Sequence, residues 1–200
     1  MGIVFEAVWV IWFHLLILSN IVIPLVPQGQ LDPHKTNVVL VYGYTGRPNT
    51  FLTGLRSNLA ADGHNVLVPD VGWTVHNIDL HAENLHRFLK NAETHLYFSH
   101  HRTIPDLIQE KKVVLIGHSM GGLIIADLGR LHPEWQEIPL VTMGTPLRGT
   151  PLAYTESWFS KACKEMEPDS EWLETLEKDL RDHPRIALQI RAWHGVDELV

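Results

Sequence analysis

The apolar run Lys112-Val113-Val114-Leu115-Ile116 leads without a break into Gly117-His118-Ser119-Met120-Gly121-Gly122. No other feature of the chain narrows its folding options as far. A strand that ends in Gly-x-Ser-x-Gly and passes at once into a helix must turn so sharply that the serine is held in a strained backbone conformation with its hydroxyl exposed. Gly117 and Gly121 flank Ser119 because side chains there would collide with the neighbouring strand and helix. The following helix, expected over about residues 120–131, aims its positive end at Ser119, where negative charge develops during acyl transfer. A glycine-rich turn without chemistry is the plain alternative. The strand before the motif and the helix after it favour the nucleophile turn.

Around this turn, strand-like and helix-like segments alternate, which implies an α/β protein with a mostly parallel sheet covered by helices on both faces. Asn37–Tyr42 reads as a strand, and Thr50–Asp62 as a helix with Phe51, Leu52, Leu55 and Leu59 at helical spacing, stopped by Gly63. Val66–Val68 is a short strand closed by Pro69-Asp70. Asn77–Lys90 is a helix offering Ile78, Leu85, Phe88 and Leu89 to the core, and residues 91–105 read as a surface insertion. Ile138–Met143 and Ile186–Ile190 are further strands, with Pro139 marking an edge or the start of a strand. The stretch Pro151–His183 carries Trp172, Leu173, Leu176 and Leu180 at the spacing of one amphipathic helix. Two readings stay open for it: an ordinary helix packed on the core, or a lid whose apolar face meets acyl chains or a membrane.

The chain has 200 residues, 45% of them hydrophobic, enough for one domain with a good core. A formal net charge of −7 leaves no basic stripe for phosphates, so nucleic acid is excluded as a partner. One cysteine, Cys163, excludes an internal disulfide and a cysteine-based metal cluster, and it reads as a passive residue. The 13 histidines show no ligand spacing on a convincing helix, and His100-His101 reads as a solvated pair in a polar loop. Neither a metal site nor a cofactor motif is expected.

The N-terminus differs in kind. Ile3–Val26 is almost wholly apolar, broken by Glu6, His14, Ser19 and Asn20, and long enough to span a bilayer. Residues 1–27 are read as a hydrophobic membrane-anchor helix of unknown orientation, with Trp9 and Trp12 near an interface, followed by a linker over 28–36. A cleaved signal peptide leading to secretion is the rival; it lacks a basic start and a small-x-small cleavage site. A hydrophobic helix docked on the domain is a third reading.

Residues 36–200 resemble the α/β-hydrolase superfamily, in particular its lipase and esterase branch. The resemblance is carried by the nucleophile turn, by Val38–Gly46 as the early strand and oxyanion loop, and by Ala82, Leu85 and Leu89 as the helix before the nucleophile strand. Thr142–Thr150 and the turn His194–Val200 extend it. Where members often have His-Gly-x-x-Gly, this chain has Tyr42 before Gly43. The resemblance implies a domain over 37–200 with a lid-like insertion at about 151–183. It implies Ser119 as nucleophile, the backbone N–H groups of Tyr44 and Met120 as oxyanion donors, and Asp197 as the catalytic acid with Glu198 as runner-up. Asp70 takes a structural position.

Chain order in this superfamily runs Ser, then Asp or Glu, then His. Only Glu198, Leu199 and Val200 follow Asp197, so the chain reads as truncated before its histidine, and the fold as incomplete at the C-terminus. His118 should point away from the hydroxyl, His194 reaches the site only if its loop folds back, and His132 and His183 read as surface residues at element ends. The expected function is hydrolysis of carboxylic esters, lipids or acylglycerols among them, through an acyl-enzyme and without a cofactor. Alternatives are a catalytically incomplete hydrolase-fold protein that binds lipid or a partner, and an acyltransferase.

Overall fold

The computed structural model describes residues 29–46 and 52–182 and the backbone of 190–193. The N-terminal apolar run, residues 183–189, and His194, Asp197 and Glu198 therefore lie outside the described residues. Among the described residues, five parallel strands form one sheet: β1 (Asn37–Val41), β2 (Asn65–Leu67), β3 (Val113–His118), β4 (Leu140–Met143) and β5 (Ile190–Trp193), in the spatial order β2-β1-β3-β4-β5. All five β1 residues are buried, so both faces of the sheet are covered there, as a parallel sheet requires. The strand after Met143 was expected at Ile186–Ile190; the described part is Ile190–Trp193, paired with β4, and the rest of the expected segment lies outside the described residues. β4 has neighbours on both sides, and Pro139 sits just before it, where its carbonyl accepts from Leu115 N at 3.0 Å. Pro139 thus marks a strand start, where its missing N–H costs no ladder bond.

Among the described residues, six α-helices accompany the strands: α1 (Thr53–Ala61), α2 (Ile78–His100), α3 (Ile104–Gln109), α4 (Met120–Leu131), α5 (Lys161–Glu165) and α6 (Glu171–Asp182). α1 ends at Gly63, whose φ of 89° suits a residue without a side chain. The expected surface insertion at 91–105 is instead helix for most of its length. The apolar stripe of Leu85 and Leu89 continues through Ala92 and Leu96, all buried, while Thr94, His95 and Ser99 take the solvent face. His100 is the last residue of α2 and His101 its left-handed cap, so the pair is not in a loop. α3 then starts with a reciprocal capping box between Thr103 and Asp106.

α6 takes the core-packed form of the two readings given for its sequence. Leu173 and Leu176 are buried, and Trp172 and Leu180 pack against the core. Asp79 of α2 accepts from Trp172 Nε1 at 2.7 Å and pairs with Arg130 of α4, which also reaches Asp127 at 2.7 Å and Asp179 of α6 at 3.6 Å. Three helices are thereby joined around one guanidinium. Among the described residues, no helix is long and apolar enough to cross a membrane.

Candidate active site

Strand β3 ends at His118 and α4 begins at Met120, leaving Ser119 alone at the turn with φ 53° and ψ −128°. This backbone region is costly for a residue with a side chain, and neighbouring chain holds it in place. Ser119 N donates to Met143 O at 2.8 Å, and Ser119 O accepts from Gly122 N at 3.0 Å. The glycines explain how so tight a turn is reached. A Cβ on Gly117 would stand 2.4 Å from Gly121 O, and one on Gly121 would stand 2.2 Å from Val41 O. Sequence reasoning missed a third position: a Cβ on Gly122 would meet Thr145 Oγ1 at 1.9 Å. Its reason lies on a remote segment, so the local pattern carries no signal for it.

The loop after β1 lies against the serine. A Cβ on Gly43 would come within 2.8 Å of Ser119 Cβ and 3.2 Å of Ser119 Oγ. Tyr44 therefore follows a residue in contact with Ser119. Met120 opens α4, where the first N–H groups have no carbonyl in a preceding turn to bond. Thus Ser119, Gly43, Tyr44, Met120, Gly117 and Gly121 converge on one point at the C-terminal edge of the sheet.

Three segments brace this point. Tyr42 is buried; its hydroxyl donates to Asp70 Oδ1 at 3.0 Å and accepts from Val71 N at 3.1 Å. Asp70 Oδ1 also accepts from Gly72 N, so Asp70 shapes the loop after β2. Thr45 N donates to Thr74 Oγ1 at 2.9 Å. The segment after β4 closes over both loops: Tyr44 Oη donates to Glu156 Oε2 at 2.9 Å, Lys161 N to Val75 O at 2.9 Å, and Ile78 N to Glu165 Oε2 at 2.6 Å. Burial holds the Tyr44 phenol above its ordinary value, so it stays a donor. Burial pushes the Glu165 carboxyl up to about 7. Cys163, buried beside Ser160, has its thiol raised by burial and makes a poor rival nucleophile. Trp73, Leu152, Tyr154, Trp158 and Phe159 stand exposed on these segments, with the Trp158 and Phe159 rings 4.8 Å apart.

Among the described residues, no histidine is hydrogen-bonded to the Ser119 hydroxyl. His81 is buried with its ring nitrogens 2.8 Å from Val71 O and 3.2 Å from His76 O, and burial lowers its pKa. His132, expected at an element end, caps α4; its ring stacks on His86 at 3.7 Å, with Nε2 2.9 Å from Glu83. His86, His132 and Glu134 bring three ligand atoms within 4.8 Å. His86 Nδ1 already accepts from Trp135 Nε1, and Lys90 lies 3.8 Å from Glu134, so the cluster serves as a side-chain network between α2 and the end of α4. Trp193 pairs with Met143, which pairs with His118, so β5 ends on the same edge as Ser119. Asp197 follows four residues later, outside the described residues.

The profile of the family described as serine aminopeptidase, S33 (Hydrolase_4) matches residues 32–185. No curated protein matches the chain. Among solved structures, the chain is similar to mature lipase BlEst2 of Bacillus licheniformis, with a TM-score of 0.60 and 17% identity, covering 84% of this chain and 68% of that one. It is similar to phospholipase PlaB of Legionella pneumophila (TM-score 0.55, 15% identity, 78% of this chain and 38% of that one). Lipase B of Aspergillus fumigatus gives a TM-score of 0.55 at 16% identity, over 77% of this chain and 36% of that one. At these identities the likeness is one of fold, the α/β-hydrolase fold.

Proposed function

Because the chain belongs to the serine aminopeptidase S33 family of α/β-hydrolases, and is lipase- and esterase-like in fold, we propose that it hydrolyses carboxylic esters, lipid or acylglycerol esters among them, through an acyl-enzyme on Ser119. The observation that carries this reading is the strained Ser119 turn with Gly43 packed directly against its side chain. Ser119 Oγ adds to the ester carbonyl carbon while its proton passes to a base. The oxyanion rests on the N–H groups of Tyr44 and Met120, the alcohol leaves, and water then releases the acid. Losing one such donor typically raises the barrier by about 3 kcal/mol. In this reading Asp197 orients the base, a role drawn from its place after β5. The lipase and phospholipase neighbours and the exposed aromatics around the site support apolar acyl groups.

A fluorophosphonate probe, applied to the chain and to Ser119→Ala, tests the reading together with a series of p-nitrophenyl esters of rising acyl length. The expected result is labelling and ester turnover that both vanish in Ser119→Ala. A folded protein that takes no label would make this chain a binding protein on a hydrolase scaffold. Turnover of aminoacyl anilides in preference to esters would make it a peptidase. Transfer to an added alcohol in preference to water would make it an acyltransferase.

A further inference from the structure

Very little chain separates the apolar run Ile3–Val26 from the folded domain. Gln30 already belongs to the domain, because its carbonyl accepts from Asn65 Nδ2 at 2.7 Å, and Leu31 beside it is 4% exposed. Four residues lead from Val26 to Gln30, and even fully extended they reach only about 14 Å. Asn65 opens β2 and pairs with Asn37, which opens β1, so the tether attaches at the N-terminal edge of the sheet. Ser119 is at the other edge, beyond the last residue of β3.

A second feature lies at the same edge as the tether. Helix α2 starts beside the site loops, where Glu165 accepts from Ile78 N, and runs 23 residues, or about 35 Å, to the far side. Its last residue, His100, has its ring 6.5 Å from that of His34, which precedes β1. There Phe98 is 75% exposed and Tyr97 52%, their rings edge-to-face at 5.7 Å. Lys35 and Lys111, next to the starts of β1 and β3, are exposed at this edge. Large aromatics and lysines exposed on one edge suit the boundary between lipid headgroups and acyl chains, the rings taking the boundary and the ammonium groups the phosphates.

We propose that the N-terminal edge of the sheet is a bilayer-docking surface: the apolar run enters a membrane with anionic headgroups, Tyr97 and Phe98 settle in its interface, and Lys35 and Lys111 face lipid phosphates. Ser119 lies a strand's length away, about 20 Å for the six residues of β3, on the edge that a domain docked through this face turns from the bilayer. Ser119 and the aromatics at Trp73 and Trp158 then face the aqueous side, and substrate reaches the site from water or from an opposing particle. The proposal goes beyond the hydrolase reading and does not depend on the chemistry at Ser119.

Site-specific fluorescence on the full chain decides it. Phe98→Cys and Trp158→Cys each present one exposed thiol for an environment-sensitive dye, while Cys163 is buried and stays unlabelled. The labelled proteins are reconstituted into mixed phosphatidylcholine and phosphatidylglycerol vesicles. The expected result is that lipid-borne doxyl groups remove most of the emission at position 98 and aqueous iodide does not, with the reverse at position 158. Doxyl quenching at 158, iodide access at both positions of vesicle-bound protein, or failure to float with vesicles would each overturn the proposal. So would equal protection of position 98 without lipid, which would identify the chain's own apolar run or a second copy as the occupant.

Discussion

At the C-terminal edge of the sheet, backbones approach until no side chain fits between them; at the N-terminal edge, the chain is bridged by one buried side chain. Gly117, Gly121 and Gly43 mark the first arrangement, while Gly122 makes room for the Thr145 side chain. Asn37 marks the second. It is fully buried, with Oδ1 accepting from Asp32 N at 2.8 Å and Asn65 Nδ2 at 2.7 Å, and Nδ2 within 2.9–3.2 Å of the carbonyls of Asp32, Lys35 and Lys112. The difference fits the proposed roles of the two edges. In the proposed reading, a nucleophile and its oxyanion donors must stand within bonding distance of one substrate atom, which calls for bare backbone. An edge that only joins strands to the incoming chain is held adequately by side-chain hydrogen bonds.

The largest effect is expected where backbone meets backbone. Gly121→Ala places a methyl 2.2 Å from Val41 O, and neither partner can rotate away. We expect a loss of about 3 kcal/mol or more in urea unfolding. Gly54, in α1 with nothing within 4 Å of a built Cβ, is the control; Gly54→Ala should gain about 0.5–1 kcal/mol from helix propensity alone. Equal outcomes for the two alanines would remove the claim that close approach defines the site edge.

At the other edge, Asn37→Leu leaves several buried carbonyl and N–H partners without their bonds. The expected cost is about 2–3 kcal/mol, close to the Gly121 effect. The two variants should part in function. Folded Asn37→Leu should keep its fluorophosphonate labelling rate, because no bond links Asn37 to the serine. A matching fall in labelling would show that the two edges are not independent.

How far each edge was legible follows from the range of its causes. Ser119, Gly117 and Gly121 were legible because strand, turn and helix are contiguous, and the steric demand is expressed within five residues. Gly122 was not, because Thr145 supplies its reason from beyond the next strand. Asn37 read only as the start of a strand, since its partners come from Asp32, Asn65 and Lys112 on three segments. The second half of α2 was hidden by His95, Ser99, His100 and His101, whose polarity suggested a loop while Ala92 and Leu96 kept the helical period. Parallel α/β architecture was the most legible property, because alternation of short β-branched runs with amphipathic stretches determines it over the whole chain.

A smaller effect concerns the link between the serine's loop and the segment above it. Tyr44→Phe keeps the backbone N–H but releases the bond to Glu156. Stability should fall by about 1 kcal/mol. With the Tyr44 N–H in its proposed role, the rate of phosphonylation should fall roughly 10-fold, because an oxyanion donor that drifts by a fraction of an ångström loses its alignment. Glu156→Gln alone, with Tyr44 intact and its side-chain oxygen still able to accept from the phenol, should keep most of the wild-type rate. If Tyr44→Phe labels at the wild-type rate, the bond only packs the loop, and the site edge owes its geometry to the glycines alone.

The smallest effect contrasts the two edges by pH. Near the site, burial raises the Glu165 carboxyl from its ordinary 4.5 to about 7, so the folded chain binds that proton more tightly than the unfolded chain. Its contribution is complete below about pH 4.5 and is lost as pH rises through about 7. At the other edge, hydrogen bonds from Thr103 hold Asp106 below its ordinary value, and Lys112 and Arg102 do the same for Glu110. Those contributions are present above the ordinary carboxylate range and are lost as pH falls. Glu165 is only half-buried, so solvent screening should cut its share to about 1 kcal/mol. Unfolding of wild type and Glu165→Gln at pH 5 and pH 8 isolates it. Wild type should lose about 1 kcal/mol relative to the glutamine variant on going to pH 8. A constant difference would mean that Glu165 stays ionised at its place on the N-terminus of α2, and that the segment over the site is held by a charge and not by a buried neutral acid.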